Sequence, residues 1–324
     1  MHENATKKTT GFRFISTILL VASIVYLVYE ITRFKDYNEF YITLKDISWY
    51  NFTWLVAVLI LLPVNLLIEA MKWKKVSLYL QKQQLKTTIK AILAGISSGF
   101  ATPNRLGDII GRMHYLEPEN RTSAISLAAV NSLTQNLAIL LPGIPLAFLF
   151  FIQKQSSIQS GTYIIFLIFI LLLFTATLIL LPVIARRINH PKLASYFSSL
   201  TNYTWKDMVV ITRWSLLRFF VFSLQLFLML RFFGVELTVE QAITSIPVTY
   251  LLVTFTPSFA FSEALIRGSW AVFVIGSFAG NIPGILMAGV GLWFINVIIP
   301  VVIGVGMSSL KLRVTNQVDD QVPK

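Results

Sequence analysis

The chain has 324 residues, 55% of them hydrophobic and 13% charged, with 27 Lys and Arg against 15 Asp and Glu. A globular chain carries roughly a quarter charged residues, so this composition excludes an ordinary soluble domain and reads as an all-α polytopic membrane protein. The net charge of +12 comes without a Lys/Arg stripe interleaved with aromatics, so it fits loops facing an anionic leaflet better than a nucleic-acid surface.

In chain order, residues 1–11 are a polar tail. Residues 12–31 are a first span, since a bilayer core needs about 20 apolar residues. No small-residue cleavage site follows it, so it reads as a span rather than a signal peptide. Residues 32–51 form a mixed-charge connector whose Phe34, Tyr37, Phe40, Leu44 and Ile47 recur at helical spacing, as in a helix lying along the membrane surface. The second span is 52–71. It exits through Glu69, Lys72 and Trp73 into 72–90, which holds six lysines and no acid. That loop is cytoplasmic by the positive-inside rule, and the N-terminus falls on the same side.

The apolar run 89–102 is too short to cross comfortably and breaks at Pro103. A re-entrant hairpin is expected, because broken backbone at membrane depth is tolerated where it is buried or lines a wet cavity. Spans follow at 123–151 and 161–184, then a second amphipathic connector at 186–206 and a span at 208–230. Residues 241–255 are again short and break at Pro257, with 263–278 completing the second hairpin. The last span is 283–307 and the C-terminal tail 311–324 is polar. Both termini are then cytoplasmic, in the cell membrane.

The two breaks match. Thr102-Pro103 is followed by Asp108 and Arg112, and Thr256-Pro257 by Glu263 and Arg267. The prolines lie 154 residues apart (103 and 257); the acids (108 and 263) and the arginines (112 and 267) lie 155 apart. This is the trace of an internal repeat. Residues 12–310 are expected to form one membrane domain of about 7–9 helices. Its halves, about 12–152 and 161–310, start on opposite sides of the membrane, as in inverted-topology transporters.

Charges inside a membrane segment are costly and tend to mark a pathway. Arg105, Asp108 and Arg112 are one candidate site, because guanidinium forks match phosphate oxygens. The plainer reading is a surface i,i+4 ion pair between Asp108 and Arg112. Glu263 and Arg267 are a second candidate, set in a stretch with no other charge from Gln241 to Ser309. The plainer reading is a self-neutralising pair that packs the hairpin. Asn131 and Gln135, like Asn65, Gln225 and Asn296, read first as interhelical hydrogen-bonding residues. Glu69 with Lys72 reads as an interfacial ion pair. Arg213 can snorkel to the interface, and the deeper Arg218 is a secondary site candidate. His2, His114 and His190 lack metal-ligand spacing, the chain has no cysteine, and no P-loop, GxSxG or HExxH occurs. No catalytic residue, metal or cofactor is expected.

Pro103, Arg105, Gly107, Asp108 and Arg112 spell P-x-R-x-G-D-x-x-x-R, which resembles the signature of the flippase-like membrane domain of lysylphosphatidylglycerol synthases. The Glu69-Ala70-Met71-Lys72-Trp73 exit and the late Pro257, Glu263, Arg267, Gly268 pattern are similar to that family, although the turn 258–262 lacks the family's glycines. The resemblance covers roughly residues 12–310 and does not include a soluble aminoacyltransferase domain. It implies lipid translocation without lipid synthesis, by a stand-alone member that is not an enzyme. Arg105, Arg112 and Arg267 would hold the phosphate of an anionic-headgroup lipid, with Asp108 and Glu263 orienting them. The competing classes are a membrane-embedded transferase acting on a lipid-linked substrate and a non-transporting subunit of an envelope-synthesis complex. Beyond the bilayer and its lipid, the expected partners are a second copy of the chain or an envelope-synthesis protein.

Overall fold

The computed structural model describes residues 47–100, 105–152, 201–258 and 261–307, with 41, 42, 44, 45, 102 and scattered positions between 168 and 187. The first span, most of 161–200, Pro103 and both tails lie outside the described residues. Among the described residues all regular structure is helical. The elements are α1 (Asn51–Val76), α2 (Leu85–Phe100), α3 (Gly107–Met113), α4 (Ala124–Ile152), α5 (Trp205–Phe232), α6 (Val239–Phe255), α7 (Ser262–Ile275) and α8 (Ile282–Met307). Four of them (α1, α4, α5 and α8) are long and apolar enough to cross a membrane. By contrast α2 and α6 have 16 and 17 residues. At 1.5 Å per residue each reaches about 25 Å, short of a hydrocarbon core of about 30 Å.

Local chemistry sets the ends. Thr204 caps α5 in a reciprocal box with Asp207, Thr238 does the same for α6 with Gln241, and Asn281 caps α8. The threonine of each Thr-Pro break plays the same part twice. Thr102 Oγ1 donates to Gly99 O and accepts the Gly107 N–H; Thr256 Oγ1 donates to Leu252 O and accepts the Trp270 indole N–H. Each hydroxyl thus ties the end of one hairpin helix to the next. The basic exit of the second span proves to be helix: α1 runs on to Val76, because Glu69 and Lys72 are buried against partners instead of lying at an interface.

The repeat is visible in three dimensions. Helices α1 and α5 begin 154 residues apart (51 and 205), as do α2 and α6 (85 and 239). The equivalent helices α1 and α5 pack side by side and antiparallel. Asn51, at the start of α1, donates to Phe232 O at the end of α5; Asn65 meets Gln225 at mid-length; Lys75 pairs with Asp207 at the start of α5. The two halves are therefore inverted. Each hairpin's first helix also packs on the last helix of the other half. Ser97 of α2 donates to Val301 O of α8, and Gly143 of α4 lies against Pro247 and Leu251 of α6.

Between membrane helices there is no hydrophobic driving force, so close backbone approach and interhelical hydrogen bonds carry association. The first hairpin uses glycine for this. A Cβ on Gly107 would lie 2.3 Å from Ser98 O, and one on Gly111 2.3 Å from Ala94 O. Gly111→Val must therefore push α3 off α2, at about 1–3 kcal/mol for such overpacking. The expected result is a lower thermal midpoint in detergent, with Gly306→Ala, whose Cβ would meet nothing within 4 Å, unchanged beside it. Equal midpoints would show that the hairpin is not held by this contact.

Candidate functional site

The two hairpins meet at Phe100 and Phe261. Phe100 of the first stacks edge-on against Phe261 of the second at 5.5 Å, and Trp293 of α8 closes the aromatic cluster. Beside it Arg105 reaches across the halves to Glu263. Its Nε and Nη2 lie 3.0 and 2.8 Å from Oε2, and Nη2 lies 3.0 Å from Oε1. From the other side Arg267, one helical turn along α7, gives Nε and Nη2 to Oε1 at 3.1 and 2.8 Å. One carboxylate thus holds two guanidiniums, leaving one excess positive charge. Arg105 sits at φ +57°, the one non-glycine residue at positive φ among the described residues. Such backbone costs about 1–3 kcal/mol and persists only when surrounding contacts hold it; the bidentate bond to Glu263 is such a contact.

A second charged centre lies on α1. Glu69 forms ion pairs with Lys72 (3.0 Å), Arg218 (3.0 Å) and Arg112 (2.9 Å), and its Oε1 accepts hydrogen bonds from Arg112 and Asn131 Nδ2 (2.9 Å). Arg112 also pairs with Asp108 at 2.8 Å and lies over Trp73, 4.9 Å from the ring centroid. Lys72 bonds Asn131 O and Gln135 Oε1, and Arg218 bonds Asn65 Oδ1 at 3.0 Å. The Glu69 and Lys72 side chains are 2% and 0% exposed. Three cations against two acids again leave one excess positive charge.

Both centres border a single cavity of about 660 Å³. Arg105, Glu263 and Arg267 line it from the hairpins; Asn65, Gln135 and Arg218 bring the second centre to its wall. The π-helical turn Phe294–Ile298 in α8 adds Asn296. Turns of this kind recur at functional sites because they re-aim side chains without ending the helix. Apolar residues such as Leu62, Phe222, Leu226 and Leu292 complete the lining. The result is a polar, arginine-bearing chamber inside an apolar bundle.

Sequence reasoning named most of these residues, and the structure sorts them. Arg105, Glu263 and Arg267 share the cavity wall, joined by Pro257, Arg218 and Gln135. Asp108 and Arg112 do pair at i,i+4, but Arg112 is 6% exposed and turned to Glu69, so it does not line the cavity. Arg218 occupies the wall where Arg112 was expected. Asn131 serves the buried carboxylate, whereas Gln135 both bonds across helices and faces the cavity. Pro103 lies outside the described residues. The residue sequence reasoning undervalued is Glu69. Its only local signal was an acid three residues before a lysine, and its arginine partners come from α3 and α5.

These features define a class: a polytopic helical membrane protein of two inverted halves whose hairpins enclose a cationic cavity. The family described as the lysylphosphatidylglycerol synthase TM region matches residues 14–304, and the chain belongs to that family. Comparison with curated proteins and with solved structures finds no match.

Proposed function

We propose that this protein moves an anionic-headgroup lipid, or a lipid-linked precursor, between the leaflets of the cell membrane, with its termini on the cytoplasmic side. The observation that carries this reading is the Arg105–Glu263–Arg267 cluster: two guanidinium forks from opposite hairpins, converging on one carboxylate at the wall of a cavity. Guanidinium forks donate to carboxylate and phosphate oxygens with the same two-pronged geometry, so a headgroup phosphate can take the place of the Glu263 carboxylate. Arg218 adds a third cation, and the membrane helices let acyl chains stay in lipid while the headgroup crosses. Rocking of the inverted halves about the α1–α5 contact would expose the cavity to each leaflet in turn. The lining carries no metal-ligating cluster among the described residues, and the reading assigns no catalytic step.

The test is scrambling of tail-labelled phosphatidylglycerol in proteoliposomes, followed by dithionite bleaching. Wild type should equilibrate the anionic lipid faster than phosphatidylcholine, and Arg105→Ala/Arg267→Ala should fall to the rate of empty vesicles. A double variant as fast as wild type would sink the proposal. Turnover of a lipid-linked donor by the purified protein would favour a transferase. A double variant that keeps lipid distribution normal but loses a co-purifying envelope protein would favour a subunit role.

A further inference from the structure

We infer that this cavity has two separate places for anions and holds most tightly a lipid whose headgroup carries two phosphoryl groups, joined as a diphosphate or present as two phosphodiesters. The inference rests on the translocation reading and names the substrate class of the same site.

The charge count argues for it. Arg105 and Arg267 share Glu263, whereas Lys72, Arg112 and Arg218 share Glu69 and Asp108. Each centre therefore keeps one excess positive charge. The neighbouring sequence does not supply the missing acids. From Ile47 to Val235 the other acids are Glu117 and Glu119, in the loop after α3, and Asp207, which pairs with Lys75. From Gln241 to Ser309 Glu263 stands alone. An uncompensated charge at membrane depth is costly, so two anionic groups complete the site better than one.

The arginines also offer two places. Arg105 and Arg267 each spend Nε and Nη2 on Glu263, so Nη1 of each has no hydrogen-bond partner among the described residues. Arg218 gives Nε to Asn65 Oδ1 and Nη1 to Gln135 Oε1, with Glu69 Oε2 3.0 Å from Nη1, which leaves its Nη2. All three arginines line the cavity, and their side chains are 38%, 28% and 27% exposed. The unbonded Nε of Arg112, by contrast, is sealed inside the protein. Glu263 thus presents two guanidiniums side by side, and Glu69 holds a third separately. One phosphoryl group at the pair and a second at Arg218 would use all three.

The experiment is native mass spectrometry of the purified protein, equilibrated with equal amounts of phosphatidylglycerol, cardiolipin, cytidine-diphosphate diacylglycerol and phosphatidylcholine, all with oleoyl chains. Phosphatidylglycerol carries one phosphodiester, cardiolipin two, and the cytidine lipid a diphosphate. At least one of the two-phosphoryl lipids should be retained at least about tenfold over phosphatidylglycerol. The better of the two says whether the phosphates are adjacent or bridged by glycerol. A smaller preference for both would overturn this inference and leave the translocation reading standing. Retention of no anionic lipid above phosphatidylcholine would remove the two together. Arg218→Gln should cut the two-phosphoryl advantage to within about threefold while phosphatidylglycerol stays bound. Arg218→Lys keeps the charge beside Glu69 and should keep part of the advantage, which separates loss of the anion place from loss of the fold. An advantage that survives Arg218→Gln unchanged would show that Arg218 is not the second place.

Discussion

Glu69→Gln will cost the protein its fold. The substitution keeps shape and removes the charge on which Lys72, Arg112 and Arg218 converge. Arg112 retains Asp108, and Arg218 retains Asn65 and the cavity. Lys72 retains only the neutral Asn131 O and Gln135 Oε1 at a position with 0% exposure. Breaking a buried pair by removing one partner typically costs about 3–5 kcal/mol, because an uncompensated charge is left inside, and that is a large share of the about 5–15 kcal/mol that holds a typical protein folded. Size-exclusion profiles and thermal midpoints in detergent should show aggregated or strongly destabilised protein. Because Lys72 is the orphan, Glu69→Gln/Lys72→Met should recover much of the loss. A single variant as stable as wild type, or a double variant worse than the single, would contradict this account of the buried centre.

The second large effect is of the opposite kind. Glu263→Gln should raise retention of anionic lipid while slowing its passage. The Glu263 carboxylate occupies the guanidinium groups of Arg105 and Arg267 that a phosphate would use on the proposed reading. Removing its charge leaves both arginines unpaired at a wall where their side chains are 38% and 28% exposed, so the structural penalty is smaller than at Glu69. On the proposed translocation, the competitor that would return as a headgroup leaves is then gone. Native mass spectrometry should show more bound phosphatidylglycerol per protein, and the vesicle assay a slower rate. If retention and rate fall together, Glu263 orients the arginines without competing with the headgroup.

The contrast between these two carboxylates shows where sequence reasoning reached and where it stopped. Asp108–Arg112 and Glu263–Arg267 were legible as pairs, since four residues on a helix is one turn and needs no knowledge of the fold. Their environments were not. Arg112 turns inward to Glu69 and Trp73, while Arg267 faces the cavity. Identical spacing cannot say which face of a hairpin is covered. From sequence Arg218 reads only as a deep arginine of secondary interest, because its helix offers no acid at i±3 or i±4 to mark a pair; its partners, Asn65 and Glu69 on α1 and Gln135 on α4, come from other helices.

By itself the sequence determined what is local: apolar runs long enough to span, Thr-Pro breaks, the acid–arginine turns and the 154-residue repeat that carries them. Each follows from hydropathy, from the proline ring, or from about 3.6 residues per turn; the spans at 52–71, 123–151, 208–230 and 283–307 and both acid–arginine turns reappear in the described helices. Only the tertiary structure decided which charges meet. Arg105 joins Glu263 across 158 residues, and Arg218 joins Asn65 across 153. The reason is physical. In a membrane bundle, partner choice depends on how closely glycine-lined helices approach and how two inverted halves are rotated against each other, and no window of sequence contains either quantity.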